Sequence, residues 1–435
     1  MTVDSGVVGG GSGPAHVPSD DEVRAEVGDW LAANWDPDLD LLTWRNLLVD
    51  SGWGCPSWPT EWYGRGLPPS LDRTVQTEFE RVGAVGVAAG VSMYLVAPTI
   101  LEHGSPDLLD RFLRKILTGE HKWCQLFSEP GAGSDLAGLT TRAERDGDEW
   151  IVNGQKVWNS GAHKAAYGIL IARSDWDAPK HRGLSYFAFP MDQDAVEVRP
   201  LRQMNKHASF NEVFFTDARV PHENLIGAPG EGWRVALTTL AHERAAVATR
   251  RPKFARDGGP CVQQARAEAD AYFATYRWYP QRAGRANMLV SEAERRERTD
   301  DPLVRQQLME ALSLRDISGW TTDRARAARR SGRPPGPEGS LAKLHLSEIA
   351  RLSHTAHTSI AGANALLTGA DTPPEEGRSR SPEEIVAEVL VSTPAQSIAG
   401  GTDEIQRNII GERVLGLPKE PDSSVDQPFR EVKTN

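Results

Sequence analysis

Apolar and polar positions change their rhythm twice along the chain. From Asp21 to about Gly119 the pattern is helical, in "DDEVRAEVGDWLAANW", "LTWRNLLVDSGWG", "TVQTEFERVGAVGVAAGVSMYLVAPTILEHG" and "PDLLDRFLRKILTGE", with "CPSWP" and "GRGLPPS" as breaks. Between about Trp123 and Gly230 short β-favouring runs take over. "RAERDGDEWIVNGQKVWNSG" carries Asp146-Gly147 and Asn153-Gly154, dipeptides that predict tight hairpins, and "YGILIARS", "LSYFAFPM", "VEVRPL" and "NEVFFTDARVP" continue the strands. From Glu231 helices return in "GWRVALTTLAHERAAVATRR", "CVQQARAEADAYFATYRW", "PLVRQQLMEALSLRDISGWTTDRARAARR" and "SLAKLHLSEIARLSHTAHTSIAGANALL", while "RSGRPPGPEGS" and "TGADTPPEEGRSRSPEE" read as loops. The expected fold is α+β: an N-terminal α-helical domain (21–119), a middle β domain (120–230) forming a small barrel or sandwich, and a C-terminal α-helical domain (231–420). Tails at 1–20 and 421–435 flank them.

Two helices in the last domain carry more detail. In "SIAGGTDEIQRNIIGERVLGLP", Thr402 caps a helix whose first turn bears Asp403 and Glu404, Arg413 sits near its end, and Gly416 and Pro418 stop it. Ile405, Ile409 and Val414 predict one buried side. The bare Gly400-Gly401 corner before it either meets a dihedral requirement or admits close backbone approach by a ligand. On "GWRVALTTLAHERAAV", Trp233, Ala236, Leu237, Leu240 and Val247 fall on one side at about 100° per residue, with Glu243 at the edge of that stripe, Arg244 within it and His242 pointing away. Two charges on a nominally buried side serve either as an ion pair bracing the fold or as a functional pair.

Composition narrows the classes. With 435 residues and 39% apolar content the chain buries sizeable cores, and a net charge of −11 argues against nucleic acid or an anionic membrane as the main partner. Cys55, Cys124 and Cys261 show neither metal spacing nor an even disulfide framework, which points to a reducing compartment and a cytoplasmic setting. The opening residues lack the basic and apolar parts of a signal peptide, and no run reaches the length of a membrane-spanning helix.

The candidate chemistry lies in "WCQLFSEPGAGSDLAGL". There a Gly-Ala-Gly-Ser-Asp turn, Gly131 to Asp135, lets backbone amides and the Ser134 hydroxyl approach a polar ligand, with Phe127 and Trp123 offering flat surface; a β-turn serine satisfying its own backbone is the other reading. "KVWNSGA" then sets Trp158 beside Ser160.

Together with "GWGCPSWPTEWYGRGL", "APTILEHGSPD", "FNEVFFTDARVP", "GEGWRVALTTLAHERA" and "GGTDEIQRNIIGERVLGLP", these segments resemble the acyl-CoA dehydrogenase family in order and spacing, from about Asp21 to Pro418. The resemblance implies an FAD-dependent enzyme that removes hydrogen from the α and β carbons of an acyl-CoA thioester and passes electrons to an electron-transferring flavoprotein, as a homo- or hetero-oligomer, dimer or tetramer. It implies that Gln125, Leu126, Phe127, Ser128, Gly133, Ser134, Trp158, Asn159, Ser160, Thr402 and Glu404 meet the cofactor. Ser134, Arg244 and Gly401 are implied to meet the substrate. Many members keep the catalytic base just before the Gly-Thr of the last motif, a position that is Gly400 here. A second position, on the first long C-terminal helix, is used in isovaleryl-CoA dehydrogenase and in actinobacterial members acting on bulky, branched or steroid side-chain acyl groups; the matching residue is Glu243. Two departures fall on the distal half of FAD: the Arg-x-x-Phe-Gly element is replaced by "DDPLVRQQL", and the Gln-x-x-Gly-Gly element by "SIAGANALL" from Ser359. They leave open whether Arg305 or a nearby residue substitutes, whether a nonidentical partner completes the site, and whether the chain is a noncatalytic subunit. A same-fold oxidase or thioester desaturase is a further alternative.

Overall fold

The computed structural model describes residues 17–246, 251–254, 258–331, 336, 338–366, 380–421 and 424–432. Their elements form two compact units, one drawn from Met1–Ala89, Leu109–His121 and Arg251–Ala269, the other from Gly90–Leu108, Lys122–Arg250 and Asp270–Asn435.

The first unit is helical: α1 (Asp20–Asn34), α2 (Leu41–Ser51), α3 (Asp72–Val82), most of α5 (Pro106–Thr118) and the start of α7 (Pro260–Ala274), with α4 (Ala97–His103) falling in the other unit. Ser19 and Glu22 close a capping box that starts α1. Val27, Leu31, Trp44, Leu48, Phe79, Cys261 and Val262 share one core. Within it Arg45 is answered by both Glu268 oxygens at 2.8 and 2.9 Å and by the Thr118 carbonyl at 3.1 Å, so its burial is compensated. The stretch read from sequence as one helix, 74–104, is divided. Gly83, Gly86 and Gly90 lower helix propensity between α3 and a π-helical turn at Ser92–Val96, which runs into α4.

The second unit is built on a seven-stranded sheet, β1 (Trp123–Leu126), β2 (Arg142–Asp146), β3 (Glu149–Lys156), β4 (Tyr167–Arg173), β5 (Leu184–Pro190), β6 (Val196–Leu201) and β7 (Phe210–Pro221), ordered β1-β4-β2-β3-β7-β6 with β5 on β4. It is a half-barrel whose core holds Leu126, Val152, Leu170, Phe187, Phe189, Val213 and Phe215. Asp146-Gly147 makes the β2–β3 hairpin as its dipeptide predicts. Asn153-Gly154 does not make a turn: it lies inside β3 as a bulge against β7, where the register shifts between Val152 and Gly154. Packing decides this, because a Cβ on Gly154 (φ 148°) would stand 2.7–2.9 Å from Thr141 atoms.

Helices α6 (Gly232–Ala246), α8 (Tyr279–Arg282), α9 (Leu289–Arg295), α10 (Pro302–Arg330), α11 (Glu338–Ala361), α12 (Pro382–Ser392) and α13 (Asp403–Arg413) complete the unit. On α13 the sequence-based stripe needs correction: Val414 caps the helix and is exposed, while Gln406 is buried. A solvent-facing end costs Val414 little, and Gln406 sits against Gly401. Val247, residues 1–16 of the N-terminal tail, residues 332–335 and 337 of the first C-terminal loop and residues 368–379 of the second lie outside the described residues.

Candidate active site

Strand β1 sits at one edge of the sheet, paired parallel to β4, and its last residues turn into the Ser128–Asp135 loop. That loop is pinned from below. The Lys156 ammonium on β3 is fully buried, donating to the Phe127 carbonyl at 2.8 Å and to Glu129 at 2.9 Å. Glu129 also accepts from the amides of Thr140 (2.7 Å) and Thr141 (2.8 Å). Burial works to raise the Glu129 pKa, but Lys156 and these hydrogen bonds outweigh it and hold the carboxyl at about 2. Sequence reasoning did not find this pair, because a Lys–Glu contact between a loop and a strand residue 27 positions away has no local signature.

Above this anchor the sequence-predicted residues divide. Gln125 is half-buried, Phe127 is buried edge-to-face against Tyr186 at 5.8 Å, and Ser128 accepts from the Val157 amide at 2.8 Å. Leu126 is fully buried in the β core, so only its backbone is available to a ligand. Gly133 and Ser134 are exposed on the turn. Trp158 holds a left-handed backbone (φ 67°) and half its surface is open, with Phe210 edge-on at 5.6 Å. A non-glycine residue in that region is strained, and the strain keeps an indole face outside the core. Next to it, Asn159 is buried; its amide donates to the Gln125 carbonyl at 2.7 Å, and its Oδ1 has no donor among the described residues.

Helix α6 brings Glu243 to this rim. Its buried face is Gly232, Val235, Ala236 and Thr239, so the apolar stripe read from the sequence is rotated, and Leu237 is exposed. The physical reason is a polar contact: Thr239 is fully buried and exchanges hydrogen bonds with Thr99 (2.9 Å) and Tyr186 (2.8 Å). One turn further on the same face stands Glu243, which accepts from the Gln125 side chain at 3.3 Å. His242 does not point clear of the protein, as its place on the wheel suggested, but is half-buried and 2.8 Å from Glu102. The Arg244 side chain lies outside the described residues.

A third group was missed from the sequence. Tyr272, Tyr276 and Tyr279 pack edge-to-face at 5.2 and 4.9 Å. Burial raises the phenol of Tyr276, with Tyr272 and the Glu243 charge adding to it and Ser160 opposing. Burial likewise pushes Tyr279 up to about 12; Arg282 opposes, and Tyr276 and Glu243 add. Tyr186 shifts upward through burial, with Glu243 again contributing. Glu243 is thus felt by three phenols. The spacing of Tyr272, Tyr276 and Tyr279 in "YFATYRWY" is the sequence signal for this group, and it reads equally as a core stripe.

The C-terminal corner is held by other means. Thr402 caps α13 through Ile405 N–H at 3.3 Å, and Lys343, its pKa lowered by burial and supported by Asp403, donates to the Gln396 carbonyl at 2.6 Å. Gly400 has φ 69° and open space where a Cβ would stand, whereas a Cβ on Gly401 would meet Gln406 at 2.5 Å. Glu404 is exposed beside Arg407, on the outer side of the first turn. Among the described residues there is no cluster of metal-ligating groups and no helix long and apolar enough to cross a membrane.

Known proteins resemble this chain along its length. The N-terminal, middle and C-terminal domains of acyl-CoA dehydrogenase match residues 19–120, 124–218 and 284–415. Acyl-CoA dehydrogenase IpdE1 of Mycobacterium tuberculosis is 35% identical, over 92% of this chain and 98% of its own. Acyl-CoA dehydrogenase FadE26 of the same organism is 29% identical over 93% and 98%. Among solved structures the Tcur3481-Tcur3483 steroid ACAD has a TM-score of 0.60 at 24% identity over 92% of this chain and 98% of its own. The ChsE4-ChsE5 complex from Mycobacterium tuberculosis has a TM-score of 0.57 at 24% identity over 93% and 99%; both share the fold. With all three domains matched in order and IpdE1 similar along nearly the whole chain, this protein belongs to the acyl-CoA dehydrogenase family of flavoprotein oxidoreductases.

Proposed function

We propose that this chain dehydrogenates the α,β bond of an acyl-CoA thioester with Glu243 as the base and FAD as cofactor. The observation that carries the reading is the position of Glu243 on α6, facing Gln125 and felt by Tyr186, Tyr276 and Tyr279, while the corner residue Gly400 has no carboxylate to offer.

The residues fit a flavin. The buried, unanswered Asn159 Oδ1 supplies an acceptor for a ring N–H, and the Trp158 face lies open. Gln125, Phe127 and Ser128, with the Leu126 backbone, the Gly133–Ser134 turn, Ser160, Thr402 and Glu404 make up the rest of the cofactor set. When bound, FAD takes up the β hydrogen as hydride. Glu243 accepts the α proton, which the thioester acidifies, and Gln125 holds the carboxylate by its Nε2. Ser134, Gly401 and Arg244 are the groups for the ester and the CoA portion. The open space at Gly400 supports a branched or bulky acyl group, including a steroid side chain.

Electrons then pass to an electron-transferring flavoprotein, and three buried thiols fit a cytoplasmic setting. Arg305 is exposed on α10, which favours an oligomer, homo- or heteromeric, in which such a residue serves a neighbouring subunit's FAD. The test is Glu243→Gln in the flavin-loaded protein: flavin content stays at wild type, while bleaching by acyl-CoA is lost. Bleaching at the wild-type rate overturns the assignment.

A further inference from the structure

The wall beside Glu243 is more polar than α,β-dehydrogenation of a hydrocarbon chain needs. That chemistry calls for a base and for donors at the thioester carbonyl, and the remainder of a purely aliphatic acyl group is best held by aliphatic side chains. Here the segment 272–282, between the matched middle and C-terminal domains, supplies three half-buried phenols and the half-buried Arg282 guanidinium. The guanidinium carbon lies 4.0 Å from the Tyr279 ring centre. Arg282 Nε is buried and has no acceptor among the described residues.

A cation with an unanswered N–H in such surroundings is costly unless a ligand completes it. Two acids of the neighbouring helices are already engaged. Asp403 faces Lys343 at 3.4 Å, and Glu388 is bound by His207 at 2.9 Å and by Arg380. We infer that Arg282 and Tyr279 receive an acceptor oxygen, a carboxylate or a ketone carbonyl, carried on the acyl group away from the thioester. The inference rests on the reading that the acyl chain lies against Glu243.

The test is equilibrium binding to the flavin-loaded protein of three length-matched S-alkyl thioethers of CoA, which lack the thioester carbonyl and so are not dehydrogenated as thioesters are. One ends in a carboxylate, one in a methyl ketone and one in a plain alkyl group. At least one oxygen-bearing thioether is expected to bind about tenfold or more tighter than the alkyl one, the size of a hydrogen bond to a charged donor. Arg282→Met brings that ratio to within about twofold, and Arg282→Lys keeps part of it for the carboxylate. Equal or tighter binding of the alkyl thioether by the wild type overturns the proposal. So does an Arg282→Met variant that weakens all three alike, which is the behaviour of a structural brace. Binding requires no proton transfer, so Glu243→Gln keeps the same ratio; a failed base assignment appears in turnover and a failed Arg282 assignment in this ratio.

Discussion

Glu243 on α6, the base proposed above, and Gly400 at the C-terminal corner are built oppositely. Glu243 follows Thr239 by one turn on a buried face, held toward Gln125 by a rigid helix whose orientation two buried hydroxyl contacts define. Gly400 stands in a left-handed corner with empty space where a side chain would begin. Under the proposed function the difference teaches that a base carried on the helix leaves room at the corner, and that the helix then has to supply the positioning.

The sharpest way to break the comparison is kinetic. Glu243→Gln is expected to lower turnover by about 10³-fold with flavin retained, the scale of a lost general base, read by single-turnover bleaching. Lys156→Met addresses the anchor of the Ser128–Asp135 loop. Leaving Glu129 buried without its cation is expected to cost about 3–5 kcal/mol, read as a lower denaturant midpoint together with reduced flavin content. The same pair has a pH signature. The folded-state pKa of Glu129 is depressed from 4.5 to about 2, so its contribution is complete above about pH 4.5 and is lost as pH falls toward 2. Glu129→Gln removes that part of the acid dependence, which equilibrium unfolding between pH 5 and about pH 2 detects. Gly400→Ala is the smallest change: about 1–2 kcal/mol of stability from the left-handed backbone, with turnover of an unbranched thioester within a few-fold of wild type. A loss of turnover as large as that of Glu243→Gln would place the chemistry at the corner instead.

The order of helices, strands and helices was legible in the sequence because each regime has its own local period. The strands β4 to β7 and helices α10, α11 and α13 fall where their runs predict. The bulge at Asn153-Gly154 was not legible, since the dipeptide signals a turn and only the approach of Thr141 and the register of β7 convert it to a kink within a strand. The α6 stripe was misjudged by about one position for a similar reason. A buried threonine that bonds two others outranks an exposed leucine, and a hydropathy pattern does not see such a partner.

By itself the sequence determined the family, the element order, the capped helix at Thr402 and the absence of a carboxylate at Gly400, all of which depend on residue type and near neighbours. Tertiary structure alone decided the Glu129–Lys156 anchor, the meeting of Gln125 with Glu243 across 118 positions, and the phenol and guanidinium wall at 272–282. These are contacts between distant segments, and their energies come from burial and charge in a shared low-dielectric space that no local window of sequence contains.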